Sequence, residues 1–165
     1  MLPGAYLTPT ELDRERVQPV LFLEAMGSNP SSSAVTEGIR IEAAAQFLPD
    51  KSEPDQRHYL YVYRIRMVNE GTQRAKLRSR HWKILDSNNE LREVRGPGVV
   101  GRYPDLAPGE RFEYFSSCPL STTWGTMEGT FQFEREDGTP FDVTVGRFFL
   151  VPNAPPVLEP VAREA

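Results

Sequence analysis

The chain has 165 residues with 15 prolines, 12 glycines and a formal charge of −4, a composition that fits one domain with extensions and disfavours long helices. The acidic balance argues against bulk attraction to nucleic acid or anionic lipid. Cys118 is the only cysteine, which excludes an internal disulfide and accords with a reducing, cytoplasmic setting.

The first 33 residues read as an extension. Thr8-Pro9-Thr10-Glu11 has the form of a helix start, with Thr8 as N-cap and Pro9 at the first helical position. Pro19 ends any such helix. The apolar run Val20-Leu21-Phe22-Leu23 is too short for a signal-peptide core or a membrane span, so it needs a protein surface to cover it. Gly27 to Ser33 is a Gly/Ser/Pro linker, and the domain is expected over residues 34–152, followed by a Pro-rich tail over 153–165.

Within the domain the hydrophobic period is two. Val35, Ile39, Ile41, Ala43, Ala45 and Phe47 share one parity and predict a half-buried strand. Tyr59, Tyr61, Tyr63, Ile65 and Met67 predict a second strand ending at Asn69-Glu70-Gly71. The triplet of tyrosines at this spacing suits a buried strand face better than a stacking platform for single-stranded nucleic acid. Leu77 is then out of phase with Trp82 and Ile84, which a β-bulge between them would reconcile. Asp86-Ser87-Asn88-Asn89 is a turn and Leu91 to Val94 a short strand, while Gly96 to Gly109 reads as loop. Arg111 to Ser117 is a strand, and Glu136-Asp137-Gly138 joins a last hairpin. About seven short strands at this spacing predict an all-β, immunoglobulin- or fibronectin type III-like sandwich.

Several segments in a fixed order carry a resemblance to a known family. They are Arg80-His81-Trp82, Glu93-Val94-Arg95-Gly96-Pro97-Gly98-Val99-Val100-Gly101, Leu106-Ala107-Pro108-Gly109-Glu110, Phe112-Glu113-Tyr114 and Gly125-Thr126-Met127-Glu128-Gly129. From Val35 to Leu150 the chain resembles the bacterial ApaG family. The resemblance implies a fibronectin type III-like sandwich. It also implies kinship with domains of certain F-box and polymerase-interacting proteins, where the module contacts other proteins. Bacterial members are associated with cobalt and magnesium tolerance and with diadenosine tetraphosphate levels.

Gly96-Pro97-Gly98-Val99-Val100-Gly101 fits the G-x-G-x-x-G pattern of dinucleotide folds, but the Pro-interrupted residues after it cannot open the required helix. Three readings remain: a tight turn, a backbone amide nest for an anion, or a loop shaped for a protein partner. Basic residues gather around it, eight against three acidic between Arg74 and Arg102. Arg74, Lys76, Arg78 and Arg80 share a parity and would line one strand face, either as a charged edge or as a contact surface. For an anion such as pyrophosphate or a diadenosine polyphosphate, the expected contacts are Arg95, Gly96, Gly98, Gly101 and Arg102. For a protein partner, the expected surface is Arg78, Arg80, Val99 and Val100.

Catalytic and metal chemistry find no pattern. His58 and His81 are the only histidines, with no ligand spacing around them. Ser116-Ser117-Cys118 lacks a nucleophile elbow and is followed by Pro119. The sequence therefore predicts a non-enzymatic binding module without cofactor or metal. Its expected partner is a protein, with a phosphate-containing small molecule as the alternative and self-association through an edge strand left open.

Overall fold

The computed structural model describes residues 32–152, so the expected helix start, the Val20–Leu23 run and the Pro-rich tail lie outside the described residues. Among the described residues nine antiparallel strands form two facing sheets, the expected sandwich. One sheet has the order β1 (Ser32–Thr36), β2 (Ile39–Phe47), β3 (Tyr59–Asn69), β7 (Arg111–Leu120). The other has the order β5 (Leu91–Pro97), β4 (Ala75–Asp86), β8 (Gly125–Arg135), β9 (Pro140–Leu150), with β6 (Asp105–Leu106) pairing the start of β4. Short 3-10 turns at Pro49–Lys51 and Pro54–Gln56 link β2 to β3.

The nine strands exceed the expected seven for definite reasons. Glu37 and Gly38 both take positive φ, 46° and 85°, in a two-residue turn of type I′ character that pairs Thr36 with Ile39. What the apolar parity joined into one strand is thus a hairpin, β1 and β2, and Val35 ends 48% exposed. β1 also begins at Ser32, inside the expected linker. β5 runs to Pro97, and β6 lies within the expected loop.

The core is aromatic. Trp82 meets Tyr63, Phe131 and Phe148 steeply edge-on, at ring-centroid distances of 5.5, 5.6 and 6.1 Å, the arrangement that ring quadrupoles favour. Tyr61 and Tyr63 are buried, as their strand-face reading requires. Phe148 and Leu150 point inward while Phe149 is 54% exposed, the alternation of a strand. One flank of the sandwich is stitched shut: Thr144 N donates to Thr36 Oγ1 (3.1 Å) and Ser32 Oγ to the Gly146 carbonyl (2.9 Å). On the opposite flank, β5 and β7 are both edge strands, and the inward residues Arg92, Val94 and Gly96 are only half-buried.

Candidate interaction site at the glycine hairpin

The register of β4 against β8 slips between Leu77 and Ser79, so Arg78 is the extra residue of a β-bulge where the sequence predicts one. The bulge changes which residues face inward. Ala75 and Leu77 are buried before it, and Arg80, Trp82 and Ile84 after it. Arg80 therefore leaves the face shared by Arg74, Lys76 and Arg78 and turns under β5.

There its partners are unusual for an arginine. Arg80 pairs with Gly96 across the strands, and the missing side chain leaves room for the guanidinium: an added Cβ on Gly96 would meet its three end atoms at 3.0–3.1 Å. Arg80 Nη1 donates to the carbonyls of Pro97 (3.0 Å) and Gly98 (2.9 Å). Burial lowers its pKa from the ordinary arginine value, yet a guanidinium stays charged at neutral pH. Opposite, the Tyr114 hydroxyl is buried with no hydrogen-bond partner among the described residues, and burial holds its pKa well above the ordinary value.

Above Arg80 the chain makes a tight hairpin. Val99 and Arg102 exchange both backbone bonds, 2.9 and 2.8 Å, around Val100 and Gly101, both at positive φ (44° and 75°). Gly suits this position, whereas a β-branched residue there costs about 1–2 kcal/mol. Val99 is fully buried and Val100 packs partly on the core, which holds the strained turn in place. Gly98, at φ 60°, has no space for a side chain, since a Cβ would come within 2.5 Å of the Arg102 carbonyl oxygen. The Tyr103 ring lies alongside, its Cε1 3.4 Å from that same position.

The expected site residues thus separate. Arg95, Gly101 and Arg102 are exposed at the hairpin, Gly96 and Gly98 lie beneath it, and Val100 is half-buried. Arg78 is exposed and ion-paired to Glu134 at 3.3 Å. Two residues of the expected partner surface do not reach a surface: Val99 is a core residue and Arg80 is 8% exposed. Val99 points inward because the turn reverses the chain just after it, and Arg80 because the bulge shifts its phase. An anion nest over residues 98–101 also meets competition, because the amides of Gly98 and Val99 donate to the Arg78 and Arg102 carbonyls. Tyr103, 48% exposed, is the residue that sequence reasoning passed over; an aromatic followed by Pro104 beside a glycine turn was the available signal.

The remaining chemistry is spoken for. His81 Nε2 lies 3.0 Å from Glu93 Oε1, and among the described residues no three His, Cys, Asp or Glu side chains come together as metal ligands. At the other end of the β5–β7 flank, Arg92 donates to the Pro119 carbonyl (3.0 Å) and to Cys118 Sγ (3.6 Å). Beside it Arg57, His58, Glu90 and Leu91 line an open cleft of about 460 Å³, which the sequence did not signal. Burial pushes the Cys118 thiol from 9.0 up to about 11 against the opposing charge of Arg92, so it is a protonated packing group at neutral pH. Its linkage has a definite sign. As pH rises from 9 to 11, the unfolded thiol ionises and the folded one does not, so stability falls, by about 2–3 kcal/mol from this group. Urea titrations at pH 8 and pH 11 should show wild type losing more stability than Cys118→Ala by about that amount; equal losses would contradict it.

Comparison with known proteins fits this geometry. The ApaG domain family model matches residues 49–135, a span that includes the bulge, Arg80 and the whole glycine hairpin. The chain belongs to the ApaG domain family. It is 50% identical over 120 residues to Protein ApaG of Anaeromyxobacter dehalogenans (strain 2CP-C), covering 73% of this chain and 94% of that one. It is 46% identical over 117 residues to Protein ApaG of Brucella anthropi, covering 71% and 90%. The crystal structure of a putative ApaA protein from Bordetella pertussis superposes with a TM-score of 0.67 at 41% identity, covering 76% of this chain and 98% of that one. Among the described residues no helix is long and apolar enough to cross a membrane.

Proposed function

We propose that this ApaG domain is a non-enzymatic, cytoplasmic protein-interaction module whose contact surface is the outer side of the glycine hairpin. The observation that carries the reading is the Arg80 guanidinium, which grips the Pro97 and Gly98 carbonyls from below. A surface loop so held meets a partner without paying the ordering cost that a floppy loop would. What it presents is Arg102 and Tyr103, with Arg95 nearby on β5, all exposed. Arg and Tyr are residue types that dominate binding hot spots.

Proteins retained from cell extract by the full chain, quantified by mass spectrometry, test the reading. An Arg102→Ala/Tyr103→Ala variant is expected to lose at least about tenfold of a specific partner (about 1.4 kcal/mol), while Phe149→Ala, on the far sheet edge, keeps it. A retained set unchanged by the double variant would overturn the reading. On this reading, a link to cobalt and magnesium tolerance runs through the partner that the hairpin holds.

The second reading is a binder of pyrophosphate or a diadenosine polyphosphate. It keeps the exposed Arg95 and Arg102 and the amides of Val100 and Gly101 as its donors. Such binding weakens with salt and would be lost in Arg95→Ala/Arg102→Ala, as read by calorimetry.

A further inference from the structure

The outer face of the β1-β2-β3-β7 sheet, the one turned away from the sandwich core, is not uniformly polar. Successive rows across it follow from the strand register. Glu42, Arg66 and Glu113 form one row and are ion-paired, Arg66 lying 3.6 Å from Glu42 and 2.9 Å from Glu113. The next row is Ala44, Arg64 and Phe115, and beyond it stands Val62. Ala44, Val62, Phe115 and Leu48 form a second apolar cluster, separate from the main core, with Leu60 packed on it. They are 1%, 0%, 9% and 8% exposed, values that a sheet face reaches only under cover. Among the described elements, the turn at Pro49–Lys51 packs against β3 beside Leu48, at one end of the patch.

The topology delivers a cover to the other end. β1 is the edge strand of this sheet and Ser32 pairs with Ala43, so the described chain enters the sheet one step from the Ala44–Arg64–Phe115 row. Thirty-one residues precede it, and their apolar run is Val20-Leu21-Phe22-Leu23. The nine steps from Leu23 to Ser32 reach about 30 Å when extended. Three strand spacings of about 4.8 Å make the sheet about 14 Å wide, so the run reaches any point on the patch.

We infer that Val20–Leu23 of the same chain docks on the Ala44–Val62–Phe115 patch, tethered by residues 24–31. The extension then completes the sandwich with a third layer over half of one sheet and leaves the ion-paired half bare. It also reserves that face for the chain itself, so that partners must dock elsewhere.

The test uses the full chain, methyl-labelled, in solution. Nuclear Overhauser contacts are expected from the Leu21 and Leu23 methyls to those of Val62 and Ala44. Tryptic cleavage after Arg14 and Arg16 is expected to rise at least about tenfold in a Leu21→Asp/Leu23→Asp variant, because the undocked segment is exposed to protease. Absent contacts, or an unchanged cleavage rate, would overturn the inference. So would contacts to Val62 that appear only between differently labelled chains in a mixed sample, since these would make a second copy the occupant.

Discussion

Arg80→Ala is expected to lower stability by about 3 kcal/mol and to release the glycine hairpin. The guanidinium donates charge-assisted bonds to two carbonyls, each bond worth about 1.5–3 kcal/mol when the donor is charged. Its removal leaves those carbonyls facing a vacated, largely buried space against Gly96. Both bonds come from one nitrogen, Nη1, so Arg80→Lys should rescue only in part, because the shorter ammonium leaves unfilled the flat space beneath Gly96 that the whole guanidinium occupies. Equilibrium denaturation reads the stability, and hydrogen exchange of the Val99 and Arg102 amides, which close the turn, reads the hairpin. A change within about 0.5 kcal/mol, the size of an ordinary surface substitution, would mean that the arginine does not hold the loop.

A comparable loss, about 3 kcal/mol or more, is expected for Gly129→Ala. Gly129 on β8 faces Trp82 on β4. An added Cβ would overlap the His81 carbonyl oxygen and stand 3.1 Å from Trp82 Cα. Both obstacles are backbone, so the strands must separate, and the edge-on aromatic cluster around Trp82 opens with them. Gly146→Ala is the matched control: its new methyl meets Ser32 Cβ at an ordinary 3.5 Å, and the change should stay within about 0.5 kcal/mol. Thermal unfolding of the two variants side by side separates crowding from any general cost of losing a strand glycine. Equal melting temperatures would remove the close approach at Gly129 from the account.

Much of the fold was legible because burial on a strand imposes a period of two. The alternation in Tyr59–Met67 gave β3, and the broken phase between Leu77 and Trp82 gave the bulge. The same rule misled where a turn preserved parity. A two-residue turn at Glu37-Gly38 keeps Val35 in step with Ile39, so two strands read as one. The site was half legible. The glycine pattern, Arg95 and Arg102 marked the segment that folds into the hairpin, but Arg80 was read with its even-numbered neighbours Arg74, Lys76 and Arg78 as a surface residue. The bulge that the sequence did reveal is what carries Arg80 inward, and that consequence went unapplied. Val99 was misread for a different reason: apolar residues in a glycine loop give no period, so whether they face solvent depends on a turn whose register no local pattern fixes. The cleft beside Arg57 and Arg92 joins residues from three distant segments, and nothing in linear spacing announces such a meeting.

The role of the hairpin as a contact surface is tested most directly by a photo-crosslinking residue placed at Tyr103 of the full chain in living cells, with Phe149 as the comparison position. Both side chains are exposed, 48% and 54%, so chance encounters should label them alike. The account predicts a discrete crosslinked protein at position 103 that is absent at position 149 and is lost when Arg102 is also changed to Ala. Equal, diffuse labelling at the two positions would contradict it.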